Sequence, residues 1–336
     1  MKDTAKGGIS NFRKRIIEVL LFALVTVAIL AILIFQSKAK ASVNVSLSVR
    51  GILFLLGCVL LLWFVNAAKF SLIAYLTGYR IAREKSFEIV LASIFASNIT
   101  PYYSGLVVSQ VYFLSKFGGN VGISAVISSV YLILTLIVAI MFCLIFILSP
   151  HTFVTGVRGD FYLGLISFVI FVSLFALFLM FFPDKSKKLV AMIGRLFHRN
   201  QTQQEKAMQF IDQFDYALRY FISRNKFLLL VVIVLSFVSQ FLSILLVPLS
   251  FAALGLKFNF YEVFLTQVAM QFTASVGITP GGIGIIESAF AGFFYPLAQG
   301  YTPVLTLLYR IASFYFPTIV GAFFFFRLLG EQKTSN

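Results

Sequence analysis

The chain has 336 residues, of which 60% are apolar and only 12% charged, with a mean hydropathy of +0.97 and a formal net charge of +15. A soluble domain carries about 45–50% apolar and about 25% charged residues, so a single water-soluble core and a disordered chain are both excluded. The positive charge does not call for nucleic acid as a partner, because Lys and Arg gather on the cytoplasmic side of membrane proteins.

Arg13-Lys14-Arg15 precedes the first apolar run, 16–35. A signal peptide's apolar region is about 7–15 residues, whereas a spanning helix takes about 20. A retained first helix is therefore expected, within an N-terminal segment 1–50. Further runs follow at 51–76, 120–149, 161–182, 227–252 and 303–328, each long enough to span. Pro150 and Pro183 act as stops, and Thr302-Pro303 reads as an N-cap and first helical position. Pro248 and Pro317 should kink their spans. Cys58 and Cys143 lie in apolar runs, and His151 and His198 stand apart in loops. None of these forms a disulfide framework or a metal-ligand spacing. No metal, cofactor or catalytic residue is expected.

Two segments differ from plain spans. Segment 87–116 is interrupted at Asn98-Ile99-Thr100-Pro101-Tyr102-Tyr103-Ser104-Gly105, and segment 261–297 at Ile278-Thr279-Pro280-Gly281-Gly282-Ile283-Gly284. The apolar arms around the first break have about 13 residues each, or roughly 20 Å of helix, against a hydrocarbon core of about 30 Å. Hairpins that enter and return on one side fit this length, with tips buried in protein or facing a wet cavity. Ile99, Thr100, Pro101 and Gly105 match Ile278, Thr279, Pro280 and Gly284 at a constant offset. The unit span–hairpin–span thus occurs twice, as repeat 1 (51–149) and repeat 2 (227–329). They are joined by a linking helix and basic loop (150–226) and followed by a tail (330–336).

Two spans plus one linking helix make three crossings, so repeat 2 is inverted relative to repeat 1. Broken helices in matching positions of inverted repeats point to a transporter's binding site. The expected fold is all-α and polytopic, with about six full spans and two oppositely oriented re-entrant hairpins. Placing both termini in the cytoplasm puts 21 of the 27 Lys and Arg, Lys69 among them, on the cytoplasmic side. Only Lys38, Lys40, Arg50, Arg158 and Lys257 fall outside, and Arg310 is left within a span. In the loop before 227, Ala207, Phe210, Ile211, Phe214, Ala217, Leu218, Phe221 and Ile222 recur at helical spacing. An interfacial helix is expected there. The preceding Lys187, Lys188, Arg195 and Arg199 favour anionic inner-leaflet lipids, with a solvated basic loop as the equal alternative.

Among the acids Glu287 lies deep, seven residues beyond Pro280, and Arg310 lies deep in the last span. A charge at the bilayer centre costs about 2.5–3.5 kcal/mol even on lenient scales. Both are therefore candidates for function, or they pair with each other as a structural lock. The glycines of the second tip can expose amides that make an anion nest at a helix start, suited to phosphate. The first tip offers uncharged hydrogen-bonding groups: Thr100, Tyr102, Tyr103, Ser104 and Gly105, then Ser109 and Gln110.

The stretch 98–105, followed by Gln110-Val111-Tyr112-Phe113-Leu114-Ser115-Lys116-Phe117-Gly118, resembles the first signature of the flippase-like, lysylphosphatidylglycerol synthase transmembrane-domain family. Thr279-Pro280-Gly281-Gly282-Ile283-Gly284-Ile285-Ile286-Glu287 resembles the second, and Tyr309-Arg310 with the aromatic run to Pro317 and Gly321 resembles the last helix. The resemblance covers about residues 15–330. It implies the membrane module of multiple peptide resistance factor without its synthase domain, a module that moves a lipid product to the outer leaflet. Relatives often carry Gly-Gln-Pro after the glycine of the first signature; this chain has Leu106-Val107-Val108.

The expected function is a non-enzymatic lipid translocator of the cell membrane. Its substrate is a phospholipid or other lipid-phosphate, held by Thr100, Pro101, Ser104, Gly105, Gln110, Thr279, Pro280, Gly281, Gly282, Gly284, Glu287 and Arg310. No P-loop spacing is present, so ATP is not expected to drive it directly. An ion-coupled transporter of a small anion and a membrane lipid synthase or glycosyltransferase are the alternatives. A separate lipid synthase and a second copy of the chain are open as partners.

Overall fold

A computed structural model describes residues 47–148, 182, 184, 185, 188, 201–275 and 279–331. The run 16–35, nearly all of 161–182 and most of the basic stretch before 201 lie outside the described residues. All regular structure among the described residues is helical. The helices are α1 (Val49–Leu76), α2 (Arg83–Asn98), α3 (Gly105–Lys116), α4 (Val121–Leu148), α5 (Gln201–Ser223), α6 (Lys226–Ala253), α7 (Phe260–Ser275), α8 (Ile285–Ala298), α9 (Thr302–Arg310) and α10 (Phe316–Gly330).

The starts are set by short polar side chains that accept otherwise orphaned amides. Ser48 Oγ accepts from Gly51 N, Asn120 Oδ1 from Gly122 N, Asn225 Oδ1 from Phe227 N, and Asn259 Oδ1 from Tyr261 N. Four stretches are long and apolar enough to cross a membrane: Val49–Leu76, Val121–Phe146, Lys226–Ala253 and Pro280–Gly330. The last has 51 residues and is not one rod. It breaks at Gln299, whose φ is 46°, and only its second limb, α9 to α10, is continuous. That limb carries a π-turn at Ile311–Tyr315. Pro317 follows closely and supplies no N–H to the carbonyl of Ser313, and a π-turn lengthens the hydrogen-bond step where such a donor is missing.

The chain packs as two compact units. The first comprises Met1–Val59, Ile94–Gly105 and Ile244–Val320, and the second Leu60–Ser93, Leu106–Ser243 and Gly321–Asn336. Each draws on both sequence repeats. In the first unit Gly51 meets the backbone of Ala253, where a Cβ would come within 2.5 Å of its Cα, so a glycine is needed for the helices to touch. Phe251, Phe290 and Phe294 are fully buried there, with Phe290 and Phe294 rings 4.4 Å apart.

In the second unit Lys116 Nζ donates to the carbonyls of Leu328 and Leu329, closing the C-terminus of α10 with a cation. Lys85 Nζ lies 2.8 Å from Glu88 and 2.7 Å from Glu331. Burial alone would lower its pKa, but the two carboxylates carry it above the ordinary lysine value. Amphipathic α5 packs on α4, and Ala217, Leu218 and Phe221 of its apolar stripe are buried. Some of the face expected to lie on lipid is therefore satisfied by protein. Periodicity reports that a face is apolar and not what covers it.

Candidate functional site

Both helix breaks fall where the Thr-Pro pairs stand, and both belong to the first unit, where the two tip turns touch. Their backbones follow one course. Thr100 and Thr279 are extended (φ −117°, ψ 145° and φ −84°, ψ 149°), and a proline opens each following turn. The next residues are left-handed in both tips: Tyr102 and Tyr103 at φ 54° and 53°, Gly281 and Gly282 at φ 61° and 64°. The backbones diverge at the following residue, with ψ −26° at Ser104 and 133° at Ile283.

In the first tip the Thr100 hydroxyl is consumed structurally. Its Oγ1 donates toward the carbonyl of Ala96 and accepts the Gly105 amide at 2.8 Å. Gly105 is packed so closely that a Cβ would lie 2.2 Å from the Ala96 carbonyl oxygen. Pro101, Tyr102 and Ser104 are exposed, and Ser104 Oγ donates to the Pro101 carbonyl. In the second tip Thr279 Oγ1 donates to the Ile283 carbonyl, and Pro280 is half-buried. Gly281 and Gly282 are buried. A Cβ on Gly281 would come 2.2 Å from the Phe314 ring, and one on Gly282 2.6 Å from Ile286 and 3.1 Å from the Tyr103 hydroxyl.

This packing changes the role expected of the glycines. Bulk at Gly281 or Gly282 is a lesion of folding as well as of any ligand site. The amide nest is also largely filled from within. The N–H of Gly282 donates to Thr279, that of Ile283 to Pro280, and that of Gly284 to Glu287 Oε2 at 2.7 Å. Glu287 is the third residue of α8 and occupies the place an external anion would take at this helix start.

Glu287 and Arg310 do pair. Arg310 Nε stands 2.7 Å from Glu287 Oε1, with the two side chains 2% and 4% exposed. The contact is close without being an aligned hydrogen bond, since neither atom has a hydrogen-bond partner of good geometry. Arg310 Nη1 donates to the Gly281 carbonyl at 3.2 Å, and the guanidinium lies 4.4 Å over the Phe314 ring. Arg310 Nη2 is buried with no hydrogen-bond partner among the described residues. An arginine offers five N–H donors in a rigid fork, so this one keeps donor capacity free.

Several residues around Arg310 carry no signal in the sequence beyond being polar in an apolar arm. Asn98 Nδ2 donates to Thr318 Oγ1 at 2.7 Å. Gln267, fully buried on α7, donates to the Tyr309 hydroxyl at 3.3 Å, while its own Oε1 has no partner among the described residues. Tyr309 stacks on Phe290 at 5.1 Å. Gln110 belongs to the second unit, buried and donating to Ser93 Oγ, and Ser109 Oγ donates back to Leu106. Both belong to the second unit, whereas the tip turns belong to the first.

Lys69, counted above with the cytoplasmic cations, lies seven residues inside the end of α1 and is fully buried. Its Nζ donates to Thr135 Oγ1 and stands 4.0 Å over the Tyr131 ring. A lysine near the end of an apolar run reads as a loop-facing charge, and only the neighbouring α4 reveals otherwise.

The family described as the lysylphosphatidylglycerol synthase TM region matches residues 16–321. A UPF0104 membrane protein of Archaeoglobus fulgidus is 25% identical over 317 residues, 89% of this chain and 93% of the relative. UPF0104 membrane proteins of Methanocaldococcus jannaschii (25% identical, 76% of this chain and 78% of the relative) and Pyrococcus horikoshii (28%, 70% and 75%) are also similar. No solved structure matches the chain.

Proposed function

The chain belongs to the lysylphosphatidylglycerol synthase transmembrane-region family, and from that premise we propose that it is a non-enzymatic lipid translocator. It moves a phospholipid or other lipid-phosphate between the leaflets of the cell membrane. In this reading α2–α3 and α7–α8 are re-entrant hairpins of opposite orientation, both chain termini are cytoplasmic, and the tips line a polar cavity for the headgroup. The arm lengths support it: α2 and α7 have 16 residues, α3 has 12 and α8 has 14. These are roughly 18–24 Å, short of a core of about 30 Å.

The observation that carries the proposal is Arg310. It is a buried guanidinium beside two matching helix breaks, and its single carboxylate partner leaves Nη2 without an acceptor. A lipid phosphate supplies the missing acceptor. Glu287 then either faces a headgroup amine or keeps Arg310 in place between turnovers. Gly281 contributes its carbonyl to Arg310, while Thr100, Gly105, Thr279, Pro280, Gly282 and Gly284 shape the tips. Pro101 and Ser104 offer their exposed surface to the headgroup.

The test is transbilayer movement of headgroup-labelled lipid in proteoliposomes, read with thermal stability in a Glu287→Gln, Arg310→Gln double-mutant cycle. Transport through Arg310 predicts a double variant that recovers stability, since a buried neutral pair can replace an ionic one, but does not recover flipping. Recovery of both quantities would leave the pair as a structural lock and reject the assignment.

A further inference from the structure

The second unit holds a cavity of about 940 Å³ that the tips do not use. One wall is a face of α1 running through Phe64, Ala68, Ser71 and Tyr75. Ala67, Ala68 and Ser71 are small side chains at helical spacing, so the face is hollow rather than filled. Leu235 of α6, Phe87 of α2 and Phe324 of α10 close the other sides. Phe64 and Tyr75 are exposed, so the hollow faces outward. From Phe64 to Tyr75 is eleven residues of helix, about 16 Å. That is close to half of a hydrocarbon core of about 30 Å, the depth of one leaflet.

The charge lies at one end. Arg80, Arg83 and Glu84 line the cavity beyond the end of α1, and all three are exposed. Neither arginine has an ion pair or hydrogen bond among the described residues. Glu88, also in the lining, is different: it is held by Lys85 and Arg327, and Glu331 balances the same cluster. Two arginines and one carboxylate without a partner among the described residues leave the rim with an excess of one positive charge. A hydrophobic trough one leaflet long with a cationic rim matches a lipid with a singly anionic headgroup. A soluble anion would leave the apolar trough unused, and a zwitterionic lipid would leave the rim charge unmatched.

We propose that this groove along α1 is a binding site for an anionic glycerophospholipid, with one acyl chain between α1, α6 and α10 and the phosphate at Arg80 and Arg83. The site rests on the chain being membrane-embedded and not on lipid translocation, so it stands or falls separately from the tip cluster.

The experiment uses the full chain in nanodiscs of phosphatidylcholine containing a trace of phosphatidylglycerol with a photoactivatable acyl chain. Cross-links are mapped by peptide mass spectrometry. They should concentrate on the α1 segment from Phe64 to Tyr75 and around Phe324, and unlabelled phosphatidylglycerol should compete where extra phosphatidylcholine does not. A basic residue near a membrane surface contributes about 1 kcal/mol toward an anionic lipid, so Arg80→Gln and Arg83→Gln should each lower the yield about fivefold. Ser71→Phe, which fills the trough, should lower it for either headgroup. Cross-links spread evenly over the outward helix faces overturn the proposal. So does a groove that stays unlabelled, as it would beneath a bound protein segment, or a yield unchanged in both arginine variants.

Discussion

The two tips share a backbone and differ in why they need it. At the first, tyrosines hold the left-handed positions: Tyr102 is exposed and Tyr103 half-buried. A non-glycine residue in that region costs about 1–3 kcal/mol, and no close neighbour forbids the side chain. At the second, glycines hold the same angles, and Phe314 and Ile286 fill the space a side chain would take. The closing glycines differ the other way round. Gly105 has ordinary φ and lies against the Ala96 backbone, whereas Gly284 has φ 83° and nothing within 4 Å of a built Cβ. Identical letters at matched positions thus answer to space in one repeat and to backbone angle in the other. The tip whose left-handed residues are packed by neighbours is the one whose carbonyl holds Arg310.

Breaking the ion pair at the glycine tip should have the largest effect. Arg310→Gln alone strands the Glu287 carboxylate in low dielectric and should cost about 3–5 kcal/mol. The readout is thermal unfolding in detergent, and a fall of less than about 1 kcal/mol would mean the site is wet. Next comes Gly281→Val, which combines overpacking against Phe314 with a β-branched residue at positive φ. A loss of about 3 kcal/mol is expected, and the same substitution made in a Phe314→Ala parent should cost only the backbone component.

The matched glycines give the sharpest contrast. Gly105→Asn should cost about 2–3 kcal/mol, because a carbonyl oxygen cannot move aside as a side chain can. Gly284→Asn should cost about 1–3 kcal/mol through backbone strain alone, since φ 83° with ψ −43° lies outside the left-handed region that asparagine tolerates. Gly284→Ala should cost about as much, because no neighbour meets the side chain. A cost at Gly284 that rises with side-chain size, as it should at Gly105, would sink the distinction. Smallest is Tyr102→Gly, which relieves strain at about the expense of glycine's extra chain entropy. It should leave stability within about 1 kcal/mol, with any change on the stabilising side.

The orientation of the hairpins is open to a separate measurement. With Cys58 and Cys143 replaced, a single cysteine at Gly300 should react with an impermeant thiol reagent in intact cells, and one at Gly119 only after permeabilisation. Reaction of both from one side would remove the inverted topology from the proposal and leave the tip geometry untouched.

Much of the local structure was legible from local chemistry. The runs 51–76, 120–149, 227–252 and 303–328 reappear as α1, α4, α6 and the α9–α10 limb within a residue or two, because apolar length and proline or asparagine boundaries act on neighbouring residues. The breaks at Thr100-Pro101 and Thr279-Pro280 were legible for the same reason. What only the tertiary structure decided are partnerships between residues far apart in the chain. Glu287 and Arg310 could be singled out by their cost in an apolar run, but their 2.7 Å contact depends on how α8 meets α9. The use of the Gly284 amide by Glu287, the burial of Lys69 against α4 and the covering of the α5 stripe by the same helix are likewise set by packing. Hydropathy sums a residue's transfer free energy over its own segment. Which group satisfies a buried charge or fills the space beside a glycine depends on a second segment, and that information is not local to either one.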